Sequence, residues 1–269
     1  MPDLYTHDHF GRDFLELLSD EEQEIIWMNR TAYDMGLQGP DFLFYYRPAV
    51  PNHLNSYGNQ LHTLSGKRLF RRFARVMRRD PSDAKLAYIY GMLCHYALDS
   101  NLHPIVNACR DEGNFSHSLI ETYLDRSFLI DDGLDPLSTP LGRNLKAESF
   151  SSAEEEIAEF YPHLTAKHIT EGFEGLIFLQ EIFLMNSDAA RKALDLVLHL
   201  YGKHRASIMG HVMPKNDIPA LDPVITDLKK AYRRTLSLLP YMKEDLFSYI
   251  SRGIELPDTF EKDFSGLIH

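Results

Sequence analysis

The sequence contains little cysteine, no long hydrophobic run and a deficit of positive charge. Cys94 and Cys109 are its only cysteines, which is too few for a disulfide framework, although one bridge is compatible with the sequence. No stretch reaches the roughly 18 consecutive apolar residues of a membrane-spanning helix. The formal net charge of -11 disfavours a large nucleic-acid-binding surface, because such surfaces carry clustered positive charge.

The N-terminal segment also lacks the features of a secretory signal. It reads MPDLYTHDHFGRDFLELL, without a basic start followed by an uninterrupted apolar stretch. Together with the scarcity of cysteine, this favours a cytoplasmic location. A mature chain whose signal has been removed would have a similar sequence.

The composition, with 44% hydrophobic and 25% charged residues, is that of an ordinary globular protein. Apolar residues recur at helical spacing along most of the chain, which predicts an all-α fold. We find no internal repeat, low-complexity run or convincing linker. We therefore expect one domain over residues 1–269, with metal-site motifs in about 1–130 and helices within 153–252 completing the core.

Capping and helix-breaking residues predict where several helices begin and end. The first helix is expected after Asp8, and the second over about 20–33. Prolines, asparagines and glycines predict a long loop over 46–61, and loops of that length tend to be functional. Pro104 predicts that the helix before it ends near His103. Towards the C-terminus, separate helices are expected over 223–238 and 241–252.

Histidine is abundant, with 13 residues, and several lie at fixed distances from carboxylates. His95, Asp99 and His103 follow one another at intervals of four, which places them on one face of a helix. His117 and Glu121 repeat this interval on the next helix, so that the pattern is H-x3-D-x3-H-x13-H-x3-E. Three imidazoles and two carboxylates facing one gap suit zinc or a similar divalent ion.

The surroundings of this motif strengthen the metal hypothesis. His95 and Asp99 lie in the apolar segment YIYGMLCHYALD, where an unpaired buried charge is costly. A core ion pair between Asp99 and His95 or His103 would account for one histidine–carboxylate pair. Two such pairs on consecutive helices favour a metal site.

This pattern resembles that of the zinc-dependent phospholipase C superfamily, which includes secreted bacterial phospholipases C and fungal single-strand nucleases. The resemblance also rests on Asp41 in the segment GLQGPDFLFY, on His62 and on the early His7. Two features differ from the secreted enzymes. Those enzymes expose an N-terminal tryptophan where this sequence reads Met1-Pro2, and their spacing between the residues equivalent to Asp99 and His103 is longer.

The resemblance implies an all-helical protein that binds two or three zinc ions. The implied ligands are Asp41, His62 and His95 for the first ion, Asp99 and His7 for the second, with Asp99 bridging to the first, and His103, His117 and Glu121 for the third. His9 is the alternative to His7.

The resemblance further implies a metal-dependent phosphoester hydrolase in which a metal-activated water attacks a phosphodiester in line. Asp41 is the candidate catalytic residue and would orient or deprotonate the water, or serve only as a ligand. A phospholipid is one expected substrate. The alternatives are a single-strand nuclease, which the net charge disfavours, and a non-catalytic metal-binding or interaction protein. The sequence makes no prediction of the oligomeric state.

Other features have two interpretations each. The segment KRLFRRFARVMRR is either a basic helix for peripheral membrane contact or a solvated helix face, and we favour the second. Asp125 is either an outer carboxylate that orients a metal-bound histidine or part of a surface ion pair. His53 is interpreted as a solvated loop residue. The remaining histidines are interpreted mainly as surface or core residues: His163, His168, His199, His204 and His211.

Overall fold

The computed structural model describes residues 4–48, 50, 52–142, 144–145, 153–199, 202 and 205–269. Within these residues the chain forms α-helices joined by turns, which confirms the predicted all-α fold. The helices are α1 (Leu4–Leu15), α2 (Asp20–Met28), α3 (Arg30–Leu37), α4 (Phe42–Tyr45), α5 (His53–His62), α6 (Gly66–Arg79), α7 (Asp83–Asp111), α8 (His117–Asp131), α9 (Ala153–Ala158), α10 (Ala166–Phe183), α11 (Asp188–Leu198), α12 (Arg205–Gly210) and α13 (Asp222–Arg252).

Helix α7 is the centre of the fold. Every residue from Ala87 to Ser100 is buried, because α1, α2, α3, α8 and α13 all contact this helix. Helix α3 crosses it closely where two glycines meet. A Cβ atom on Gly36 would lie 2.4 Å from the Tyr88 carbonyl oxygen, and one on Gly91 would lie 2.3 Å from that of Tyr33. This close contact brings the chain that follows α3 next to the middle of α7.

The C-terminal helices contribute to the same hydrophobic core. Phe173 and Leu176 of α10 are buried in it, as are Leu228, Leu239 and Leu246 of α13. That the whole chain is one domain stays a prediction. None of the described helices is both long enough and apolar enough to cross a bilayer.

The segment 46–61 contains a helix, so the prediction of one long loop was wrong. Helix α5 begins after Asn52, whose side-chain oxygen accepts hydrogen bonds from the backbone N–H groups of Leu54 and Asn55, both at 3.0 Å. This N-cap satisfies donors that would otherwise lack partners in the first turn. His62 is the last residue of this helix.

Proline does not interrupt either long helix, contrary to expectation. Helix α7 continues through Pro104 to Asp111, and α13 continues through Pro240 to Arg252. A proline inside a helix removes one N–H donor and frees the carbonyl four residues earlier, which for Pro104 is that of Ser100. Packing of the surrounding residues outweighs this local cost, and His103 lies within α7.

Two predicted boundaries near the N-terminus were also wrong. Helix α1 begins at Leu4, because the buried carboxylate of Asp125 accepts the first-turn N–H groups of Tyr5 and Thr6, at 3.2 and 2.7 Å. The expected second helix is divided at Asn29 into α2 and α3.

The basic segment forms α6, with its apolar residues buried and its arginines on the surface. Arg71 and Arg79 pair with Glu255 and Glu159, and Arg72 donates to the Tyr57 hydroxyl at 3.0 Å. These contacts agree with the interpretation as a solvated helix face. Both cysteines are buried free thiols, so the one compatible disulfide is not formed.

Candidate metal centre

The eight sequence-predicted ligands lie together at the centre of the fold. They come from α1, the turn before α4, the end of α5, the middle of α7 and the first turns of α8. Their nitrogen and oxygen atoms form three groups, and within each group the atoms lie within 4.8 Å of one another. The groups are Asp41, His62 and His95; His7, His95 and Asp99; and His103, His117 and Glu121.

In the first group, the carboxylate of Asp41 lies between two imidazoles. The Nε2 atom of His62 is 2.7 Å from Asp41 Oδ1, and the Nε2 atom of His95 is 4.0 Å from Asp41 Oδ2. Asp41 and His95 are almost completely buried, whereas the His62 side chain is partly exposed. The first group therefore reaches the surface on the side of His62.

The second group shares His95 with the first. Asp99 Oδ1 lies 3.2 Å from His7 Nε2, and Asp99 Oδ2 lies 3.4 Å from His95 Nε2. The carboxylate of Asp99 thus links α1 to α7. It also faces the third group, because Asp99 Oδ1 is 3.8 Å from His103 Nε2.

In the third group, two imidazoles converge on one carboxylate oxygen. The Oε1 atom of Glu121 is 3.1 Å from His103 Nε2 and 2.8 Å from His117 Nε2. His117 is the first residue of α8, where the Ser116 side chain caps the helix by accepting from the Leu119 N–H. The cap fixes the start of α8 and therefore the backbone position of His117.

Backbone carbonyls orient three of the imidazoles. The Nδ1 atom of His62 lies 2.8 Å from the Gly58 oxygen, that of His95 lies 3.1 Å from the Leu37 oxygen, and that of His103 lies 2.6 Å from the Phe264 oxygen. Because a carbonyl can only accept, Nδ1 carries the proton in each ring. In a neutral ring Nε2 is then the lone-pair nitrogen, and in all three it points into the cluster.

The protonation states at the centre follow from burial and charge. Burial lowers the pKa of His95 to about 4, so this imidazole is neutral at pH 7. Burial also acts to lower the pKa of His103, but the carboxylates of Asp99 and Glu121 outweigh it and raise that pKa to about 9. Burial acts to raise the pKa of Asp99, yet the neighbouring histidines hold it well below the ordinary range.

A glycine allows the turn that carries Asp41 to reach His95. Gly39 has φ +54°, a backbone conformation that residues with a Cβ rarely adopt. A Cβ atom at this position would lie 2.2 Å from His95 Cδ2. Glycine is required here both for the turn and for the space that the imidazole occupies.

The donor set fits zinc. Four buried atoms of these residues have no hydrogen-bond partner in the described part of the chain: His7 Nδ1, Asp41 Oδ2, His95 Nε2 and Asp99 Oδ2. If the residues formed only ion pairs in the core, these four atoms would lack hydrogen bonds, which would cost considerable free energy of folding. Imidazole nitrogens combined with carboxylate oxygens are typical zinc ligands.

Other predicted residues lie outside the three groups. His9, the alternative to His7, contacts the Tyr232 hydroxyl at 2.7 Å and lies 3.3 Å from Asp132. Asp125 is fully buried and binds the first turn of α1, so neither earlier interpretation of it was correct. His53 is exposed at the start of α5.

The C-terminal histidines also lie outside the groups. His211 stacks on Phe183 with ring centroids 5.5 Å apart, and burial lowers its pKa to about 4. His199 is exposed. His204 is outside the described residues, as is Met1.

Sequence reasoning missed the residues that orient the ligands. The carbonyls of Leu37, Gly58 and Phe264 carry no signal in the sequence, because every residue has a carbonyl. Phe264 also lies far from the motifs along the chain. Glycine followed by proline, as in Gly39-Pro40, is typical of a turn, but it gives no signal of the contact with His95.

The fold and the three groups define an all-helical protein with a candidate polynuclear metal centre. The chain belongs to the zinc-dependent phospholipase C family, because residues 6–175, more than half of the chain, match the family described as zinc dependent phospholipase C. The predicted resemblance is thus confirmed, and all eight candidate ligands lie within the match. No curated protein and no solved structure matches the chain. Family membership supports zinc-dependent phosphoesterase activity in broad terms.

Proposed function

We propose that the protein is a zinc-dependent phosphodiesterase of the phospholipase C type. The observation that carries this proposal is the arrangement of three adjacent histidine–carboxylate groups, with His95 common to two of them. A structural zinc site has one ion with four protein ligands. Two or three protein ligands for each ion leave coordination positions for water and substrate, which supports a catalytic role.

In this proposal the centre holds three zinc ions. The first group, Asp41, His62 and His95, holds one ion. His7 and Asp99 would hold the second, with Asp99 facing the first group through Oδ2. His103, His117 and Glu121 hold the third. The distances of 2.7 to 4.0 Å between facing nitrogen and oxygen atoms within these groups support this assignment.

Zinc, when bound, lowers the pKa of water and stabilises negative charge on phosphoryl oxygens. The protein supplies imidazoles whose Nδ1 atoms, in His62, His95 and His103, are bonded to backbone carbonyls, which directs Nε2 towards the metal. Asp41 Oδ2 has no hydrogen-bond partner among the described residues. We propose that this oxygen orients the attacking water and accepts its proton.

The proposed substrate is a phosphodiester, with phospholipids as the first class to test. The anionic phosphate would be attracted to the cluster only after metal has neutralised Asp41, Asp99 and Glu121. The formal net charge of -11 supports a small or lipid phosphodiester over a polynucleotide, because nucleic-acid-binding surfaces are basic.

Zinc analysis combined with a substrate panel tests this function. Purified protein should contain two or three zinc equivalents and hydrolyse phosphatidylcholine or a chromogenic phosphodiester faster than single-stranded DNA. A chelator should abolish activity, and zinc should restore it. His95→Ala should lose zinc and activity, whereas the exposed His199→Ala should retain both. Wild-type protein that binds no zinc, or zinc-loaded protein that cleaves no phosphoester, would contradict the proposal.

A further inference from the structure

The C-terminal segment Lys262–His269 packs against the candidate metal centre. Phe264 is fully buried there. Its N–H donates to the His62 carbonyl at 3.3 Å, and its own carbonyl accepts from His103 Nδ1 at 2.6 Å. Its ring centroid lies 5.0 Å from that of His62 and 5.6 Å from that of His95. One residue therefore contacts three candidate ligands, and between them these ligands represent all three groups.

The segment is held in this position by its own turn. The carboxylate of Asp263 is buried, and its Oδ1 atom accepts the N–H groups of Ser265 and Leu267 at 2.8 and 2.9 Å. The Asp263 N–H donates to the Leu267 carbonyl at 2.8 Å, and the Gly266 N–H donates to the Asp263 carbonyl at 3.0 Å. These bonds close a compact turn that presents the Phe264 carbonyl to His103.

The turn docks on α7 at the place where Pro104 interrupts the helical hydrogen bonds. Gly266 has φ +81°, and a Cβ atom on it would lie 2.7 Å from the Ser100 carbonyl oxygen and 2.5 Å from Pro104 Cγ. The Ser100 carbonyl is the one that Pro104 leaves without a helical donor. On the other side, the Lys262 carbonyl accepts from the Gly66 N–H and from the Tyr96 hydroxyl, both at 2.9 Å.

We propose that Phe264 is a positioning residue of the metal centre. Its carbonyl keeps the His103 proton on Nδ1, so that Nε2 faces Glu121, and its ring restricts rotation of His62 and His95. Partners of this kind orient metal-bound histidines, and their loss typically weakens metal binding by about 10–100-fold. The inference rests on the proposed zinc centre. It concerns a segment outside residues 6–175, which match the family.

Gly266→Ala tests this role without changing any candidate ligand. The added Cβ has no room against Ser100 and Pro104, so the turn must move and draw the Phe264 carbonyl away from His103. We expect zinc affinity, measured by competition with a chelator, to fall by about 10–100-fold for at least one ion. Leu267→Ala is the matched control, because this side chain belongs to the same segment and is 58% exposed. The zinc affinity of this variant should equal that of the wild type.

Two spectroscopic measurements separate positioning from general destabilisation. In ¹⁵N-histidine spectra of the wild type, His103 should be protonated on Nδ1, and this signal should change in Gly266→Ala. The visible absorption bands of the cobalt-substituted protein should change as well. If Gly266→Ala does not fold, Phe264→Leu and Phe264→Ala form the second test: leucine should retain most of the zinc affinity, and alanine should lose it.

The outcomes separate this inference from the proposed function. A wild type that binds no zinc would overturn the zinc centre itself. A zinc-binding wild type whose affinity and cobalt spectrum are reproduced by folded Gly266→Ala would overturn the role of Phe264 alone. If Gly266→Ala does not fold, equal affinities in Phe264→Ala and the wild type would overturn that role. Lower thermal stability with unchanged zinc binding would also contradict it.

Discussion

The imidazole rings of His7 and His95 stack in the core, with centroids 4.4 Å apart and planes inclined by 26°. Two protonated imidazoles would repel each other at this distance. The pKa of His95, lowered to about 4 by burial, keeps that ring neutral at pH 7. Both rings approach Asp99 through Nε2. The pair is arranged as two imidazole rings beside one carboxylate.

His7→Ala should remove one zinc ion and leave the others bound. The His103, His117 and Glu121 group contains no atom of His7, so it should stay occupied. Metal analysis after dialysis would measure the change. His9→Ala is the control from the same helix, since His9 contacts Tyr232 and Asp132 instead. Loss of equal amounts of zinc from both variants would contradict the assignment of His7.

Gly39→Ala should reduce both stability and zinc content. A non-glycine residue in the left-handed conformation costs about 1–2 kcal/mol, and the new Cβ would displace the His95 ring. Denaturant unfolding and metal analysis would measure the two effects. Gly113→Ala is the matched control, because Gly113 has φ +83° but nothing within 4 Å of an added Cβ. It should lose stability while retaining all zinc.

The part of the site that lies on one helix could be predicted from spacing alone. His95, Asp99 and His103 share a helix face because a helix repeats every 3.6 residues. His7, Asp41 and His62 come from separate elements, and no local pattern joins them to α7. Only the resemblance to a family linked these three residues to the site.

The wrong predictions of helix boundaries have local and tertiary causes. Asn52 is the N-cap of α5, but asparagine is common both at N-caps and in loops, so among prolines and glycines it predicted a loop. The continuation of α7 through Pro104 had no local signal, because the packing that outweighs the proline comes from distant residues. The hydrogen bond between His103 and the Phe264 carbonyl also had no local signal, because every residue has a backbone carbonyl.

Asp125→Ala should destabilise the protein and weaken the His7 group. The buried carboxylate accepts the Tyr5 and Thr6 N–H groups and the Thr6 hydroxyl. Buried donors left without a partner cost about 1–3 kcal/mol each, and His7 follows directly in the same helix. Urea unfolding and zinc competition would measure both effects. Asp125→Asn, which retains one acceptor oxygen, should be intermediate; an alanine variant as stable as the wild type would contradict this role.

Glu22 makes the stability of the protein dependent on pH in the acidic range. Its carboxylate accepts from Lys243 at 2.7 Å and from Tyr90 at 2.9 Å, which links α2 to α13 and α7. Burial acts to raise the pKa of Glu22, but the hydrogen bonds from Lys243 and Ser19 outweigh it and lower that pKa from 4.5 to about 2. The ionised form is thus favoured by folding.

Because the folded pKa is the lower one, the stabilisation is complete above pH 4.5 and is lost as the pH falls towards 2. Glu22→Gln should lower the free energy of unfolding by roughly 1–3 kcal/mol at pH 7. The difference between wild type and variant should shrink as the pH falls from 4.5 to 2. Urea unfolding at a series of pH values would measure it, with Glu24→Gln, an exposed position on the same helix, as the control. A difference that stays constant down to pH 2 would show that the Glu22 charge does not contribute.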